Sequence, residues 1–210
     1  MAESGGYRSI DYSSQVGGRL AYFPDDFKEY VDTQLSCSPV EDYDRDFIGW
    51  VFQRRHEPEL PPILLHYILD LNYKIKDVLR KYLLDCYVRL HPTLVQFWAP
   101  TMTMEGKSYL TTQNQRFALA TRVRRIGDVK GLCGYRMISK DYKFYMDRES
   151  SDEQLGVPGR VFNHGLPEST PNVEYYSIKE YPLCCFTLPS CTIFGYPGVL
   201  SFYPNMCWCT

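Results

Sequence analysis

Between Ile63 and Leu90 the apolar residues Leu64, Ile68, Leu71, Ile75, Val78, Tyr82, Cys86 and Leu90 recur at spacings of three and four. That period places them on one face of a helix. Lys74, Lys76, Arg80, Lys81 and Asp85 fall mostly off that face. Pro61 and Pro62 suit the start of the helix, and His91-Pro92 stops it. The stripe reads as a core-facing surface rather than a partner-binding seam. Upstream, residues 1 to about 45 show no sustained period and are rich in Gly, Ser, Asp and Tyr, so they read as weakly ordered. Phe47–Arg55 is a short amphipathic piece able to dock on a domain, and the proline-rich run "HEPELPP" follows it.

Downstream the period shortens. "TLVQFWAP", Thr93 to Pro100, is dominated by β-formers and reads as a strand ended by Pro100. Glu105-Gly106 marks a turn, "KSYLTT" a second strand, "QNQ" another turn and "RFAL" a short third strand. A helix followed by an antiparallel meander predicts an α+β fold. "ATRVRRIGDVKGLCGYR" reads as a basic, solvated loop. Its Arg122, Arg124, Arg125 and Lys130 lack the interleaved aromatics of a nucleic-acid surface. "CGYRMISKDYKFYMD" reads as a short helix or strand carrying aromatic core residues, and "RESSDEQ" as an exposed acidic loop.

Composition narrows the function classes. The 210 residues are 44% hydrophobic, enough for one domain with a core, and the net charge of −2 provides no global basic field. No secretory signal and no apolar run of membrane-spanning length is visible. Eight cysteines invite a disulfide or metal reading. Three are scattered singly and five crowd the last 27 residues as "CC", a lone Cys191 and "CWC". Neither a disulfide framework nor a zinc spacing results, and no metal or other cofactor is expected.

The stretch "LGVPGRVF", Leu155 to Phe162, has the grammar of a helix start. Gly156 permits a positive φ. Pro158 suits a first helical position. Gly159 allows a close approach by a neighbour or ligand. Such an N-terminus can hold an anion through free N–H groups, although tight packing of a short helix on a sheet explains the same residues. "LPESTPNVEYYSIKEYP" then runs extended between prolines, with Tyr175, Tyr176 and Tyr181 spaced to cover a sheet edge. Ser169 and His164 have no third orienting group, and paired carboxylates, a phosphate loop and a triad are not seen. The chain does not read as an enzyme.

Taken in order, "LVQFWAP", "YLTT.NQRFAL", "LCGYRMIS..YKF" and "LGVPGRVF..GLPESTPNVEYYS.KEYP" resemble the N-terminal region of plant NIN-like proteins, the RWP-RK transcription factors of nitrate signalling. The resemblance runs from roughly Ile63 to Pro182. It implies a GAF-like antiparallel sheet with flanking helices, incomplete at its C-terminal end. It also implies a regulatory role in response to nitrate, and a nuclear and cytoplasmic location. The division expected is a weakly ordered extension over residues 1–60, the first part of a GAF-like domain over 61–182, and a non-homologous tail over 183–210. A small anion, nitrate, is the ligand implied. Gly156, Gly159 and Arg160 at the helix start, with Trp98 as a wall, are the candidate binding residues. No RWPxRK string occurs, so DNA binding is not expected of these residues. The alternative reading is a structural module for protein partners or self-association, with helix 63–90 as its partner-facing element.

The sequence departs from the family at two places. Ser169 stands where members commonly carry Trp. Leu183 to Thr210 contain no Asp, Glu, Lys, Arg or His, where the chain's 23% charged content would place about six. The tail therefore reads as an out-of-frame, mis-spliced or truncated end, or as a genuine lineage-specific tail. On the first reading the sheet lacks its last strands and leaves an apolar edge.

Overall fold

Among the described residues, antiparallel pairing builds two sheets. The computed structural model describes residues 23–40, 46–55, 77, 92–146, 152–166, 168–170, 175–178, 180–181, 200–203 and 206–209. The expected helix over 63–90 lies outside these residues, apart from Asp77. Helix α1 (Asp25–Gln34) leads directly into strand β1 (Leu35–Val40), which pairs antiparallel with β2 (Phe47–Arg54). Strands β3 (Thr93–Phe97), β4 (Ala99–Met102), β5 (Ser108–Thr111) and β6 (Phe117–Arg122) follow. A 3₁₀ turn over Val123–Asp128 opens into α2 (Val129–Ser139), then β7 (Lys143–Tyr145) and α3 (Asp152–His164). Strands β8 (Glu168–Thr170), β9 (Leu200–Tyr203) and β10 (Met206–Cys209) complete the order.

Among the described residues, seven strands form one sheet in the order β1-β2-β6-β3-β10-β9-β8, and β4-β5-β7 form a second. The pairing register sets the core. Phe52 lies opposite Phe117, and Trp50 opposite Leu119. Leu94 lies across from Leu119 on the other side, and Gln96 from Phe117. One face of the central strands is therefore mostly aromatic and aliphatic, with Gln96 as a polar exception, and Phe52 and Phe117 stack at 4.7 Å. Helix α1 lays Phe27 on this face, 5.8 Å from Phe52 and 6.2 Å from Phe117. Helix α2 turns Val129, Leu132, Cys133 and Arg136 inward at spacings of three and four.

Several sequence expectations give way here. Residues 25–40 and 47–54 are not part of a weakly ordered extension, because α1, β1 and β2 belong to the main sheet and its core. "FIGWVF" escaped recognition as a strand because it does not alternate. Phe47 and Val51 are buried as well as Ile48, Trp50 and Phe52, and a strand covered on both faces reads as a continuous apolar run. Pro100 does not end the third-strand region. Trp98 breaks β3 from β4, and Pro100 sits within β4 at the margin of the small sheet, where its missing N–H costs no ladder bond. The meander is replaced by an exchange of sheets: β5 pairs with β4 and β7, while β6 pairs with β2 and β3. The expected basic loop is the end of β6, a 3₁₀ turn and the start of α2. Within it Arg122 binds Asp46 at 2.9 Å.

The last correction concerns the tail. β10 pairs with β3, from Met206 opposite Phe97 to Cys209 opposite Leu94, and β9 links β10 to β8. The apolar edge expected of an aberrant tail is therefore not left beside β3, where β10 pairs. An uncharged segment of aromatic and β-forming residues satisfies the backbone groups of a free edge whatever its ancestry.

Candidate functional site

Four residues are expected to form a ligand site, and two of them, Trp98 and Gly156, meet at Phe144. Trp98 occupies the step between the two sheets and is 2% exposed. Its ring meets Phe144 edge-on at 5.2 Å. Among the described residues its buried Nε1–H has no hydrogen-bond acceptor. Phe144 in turn stacks on buried Tyr181 at 6.2 Å. Gly156 interrupts α3 with φ 66° and ψ 171°, a conformation essentially reserved for glycine. A Cβ there would lie 2.8 Å from Phe144 Cδ1 and 2.9 Å from the Glu180 carbonyl oxygen. The freed N–H of Val157 donates to that carbonyl at 3.0 Å. The helix start read from the sequence is thus present, but a neighbouring chain segment rather than open space meets it. Gly159 faces only Leu155 of its own helix, at 3.1 Å from a Cβ.

Arg160 projects from the same helix into a ring of acids. Its Nη2 donates to Glu168 Oε1 at 2.7 Å and its Nη1 to Glu180 Oε1 at 3.3 Å. Burial opposes its charge, but the hydrogen bond and attraction from Glu168, with Glu180 and Tyr176 behind, outweigh it and raise its pKa. The Glu180 carboxylate is held below its ordinary pKa, first by the backbone N–H of Ser177, then by the Ser177 side chain. Tyr176 is pushed up by burial, by its hydrogen bond to Glu168 and by that residue's charge. A free anion would have to compete with two tethered carboxylates for Arg160, and tethering gives those carboxylates a high effective concentration.

Sequence reading missed a second arginine. Arg136 is fully buried in α2, among the residues of its apolar stripe. Its Nη1 donates to Gln96 Oε1 at 3.0 Å, and its Nη2 to the Thr112 carbonyl at 3.0 Å. Longer bonds of 3.4 Å reach the Tyr30 hydroxyl and the Gln115 carbonyl. Its guanidinium lies 4.2 Å over the Phe117 ring. Every one of these partners is formally neutral. Burial lowers its pKa, against the weaker pull of Tyr30 and Asp141. Arg136 Nε and Gln96 Nε2 are both buried N–H donors without an acceptor among the described residues. Ser139 donates its hydroxyl to Gln96 Oε1 at 2.8 Å, which fixes the amide so that its nitrogen remains the orphan. A basic residue at an apolar-stripe position was the sequence signal available.

Other chemistry is sparse. Among the described residues there is no cluster of three or more His, Cys, Asp or Glu able to hold a metal. Burial pushes the Cys37 thiol up to about 12 and Cys133 higher still, so neither is an activated nucleophile. No helix among the described residues is long and apolar enough to cross a membrane.

The chain is similar to Protein NLP7 of Arabidopsis thaliana, with 50% identity over 88 residues. Protein NLP6 of the same plant is 48% identical over 88 residues, and Protein NLP3 of Oryza sativa subsp. japonica 47% over 90. Each similarity covers 42% of this chain. The chain spans only 8%, 10% and 9% of these relatives' own lengths. The resemblance to NIN-like proteins expected from the motifs is therefore found. No family model matches the chain, and no solved structure does.

Proposed function

We propose that the chain is a regulatory, sensory GAF-like module of a nitrate-responsive plant transcription factor, working in the nucleus and cytoplasm without DNA-binding or enzymatic activity of its own. The observation that carries this reading is the 50% identity over 88 residues with Protein NLP7. The antiparallel sheets with helices packed against them support the GAF-like part of it.

The ligand is a small monovalent anion, nitrate. Arg136 suits it better than Arg160. A buried guanidinium surrounded by neutral acceptors keeps its charge uncompensated. Its spare Nε–H, beside a Gln96 amide with a spare N–H, offers two donors to a planar oxyanion. Trp98, Gly156 and Gly159 then contribute packing, and Arg160 holds the segment over them. Isothermal titration of the folded chain with nitrate against chloride tests the reading. Heat specific to nitrate is expected, and equal heats for the two anions would remove the sensing claim.

A second reading is a structural interaction module with no ligand of its own. It is favoured by one observation: Trp98, Gly156 and Arg160 are all committed to internal contacts. Under that reading, sedimentation would show self-association or a partner complex indifferent to nitrate.

A further inference from the structure

We propose that Ser177 is a phosphorylation site, and that its phosphate unfastens the turn 175–181 from α3. Ser177 is exposed and lies outside both sheets. It forms a reciprocal box with Glu180. The Ser177 N–H donates to Glu180 Oε2 at 3.0 Å, and the Glu180 N–H donates to Ser177 Oγ at 3.2 Å. The box holds a hydroxyl at the surface with a carboxylate three residues on, which is the spacing an acid-directed serine kinase reads through its own basic residues.

The turn is fastened to α3 through Glu180 and to β7 through Tyr181. The Glu180 carbonyl accepts from Val157 N–H, the Glu180 carboxylate accepts from Arg160, and Tyr181 fills the space beside Phe144. One residue, Glu180, thus serves both the box and the fastening. In the transfer, Ser177 Oγ bonds to the γ-phosphorus of a nucleoside triphosphate. The bond from that phosphorus to the leaving diphosphate breaks, and the hydroxyl proton passes to the kinase's base. The product carries about −1.5 to −2 charge beside the Glu180 carboxylate. Like-charge repulsion drives Glu180 out of the box. As Glu180 leaves the box it also leaves Arg160, which keeps its bond to Glu168. Glu180 then no longer presents its carbonyl to Val157.

The test is to treat the full chain with an acid-directed serine kinase and magnesium ATP, map the site by fragmentation, and follow amide exchange. One phosphoryl group on Ser177 is expected, absent in Ser177→Ala and added about tenfold more slowly in Glu180→Gln, whose acidic contact to the kinase is gone. Exchange at the Val157 amide should accelerate about tenfold on phosphorylation, as one charge-assisted fastening is lost. Failure of the folded chain to accept phosphate at Ser177 would overturn the site. Phosphate at Ser177 with unchanged Val157 exchange would overturn the unfastening.

Discussion

Arg136 and Arg160 are both withdrawn from solvent, yet their surroundings are opposite. Arg136 projects inward from α2 and bonds only to neutral oxygens and an aromatic face. Arg160 is partly exposed and shared between two carboxylates. The first arrangement leaves a charge in the core without a counter-ion, at a desolvation cost of several kcal/mol that neutral hydrogen bonds repay only in part. The second neutralises the charge locally and uses it as a fastener. A cation near a glycine-rich helix start is therefore a poor guide to where an anion would be welcome. The relevant question is which charge the fold has already answered.

The sharpest way to break this comparison is to remove the core guanidinium. Arg136→Ala should destabilise the chain by about 3–5 kcal/mol, through an empty volume against Phe117 and the lost hydrogen bonds to Gln96 and Thr112. Denaturant unfolding followed by circular dichroism measures it, and a loss under 1 kcal/mol would mean the polar knot is dispensable. Next in size, Gly156→Ala should cost about 2–4 kcal/mol, since its φ of 66° is strained for alanine and the new Cβ meets Phe144 and the Glu180 carbonyl. Arg160→Met should cost only about 1–2 kcal/mol, because the ion pairs it breaks are partly solvated. Were Arg160→Met as damaging as Arg136→Ala, the contrast between fastener and core cation would fail.

The smallest effect concerns pH. Glu180 has a folded-state pKa below its ordinary value of 4.5. Its contribution is therefore present in full above that value and is lost as pH falls through the depressed one. Stability of the wild type should decline more steeply than that of Glu180→Gln over that acid window. Parallel decline in the two would show that the carboxylate does not fasten the turn.

Much of this was legible in sequence, and the failures have specific causes. "LGVPGRVF" announced a glycine at positive φ followed by a helix, because Gly-x-Pro grammar is local. "TLVQF", "SYLT" and "RFAL" were readable as strands because β-formers between turn residues are a local signal too. Which strands pair is not local, and the exchange of β5 and β6 between sheets left no mark in their composition. β2 was obscured by burial on both faces, which erases alternation. The tail's lack of charge looked foreign to the fold, whereas pairing with β3 asks only for β-formers. Arg136 was visible as a basic residue in an apolar stripe, but its neutral partners come from α1, β3 and the loop after β5, far apart in sequence.

The most direct test of the proposed sensory role is calorimetric titration of nitrate, with chloride as reference, into the wild type, Arg160→Met and Arg136→Met, each shown to be folded by circular dichroism. Nitrate-specific heat should appear in the wild type, persist in Arg160→Met and vanish in Arg136→Met. Equal heats for nitrate and chloride in the wild type, or a response lost with Arg160 and kept without Arg136, would contradict the account.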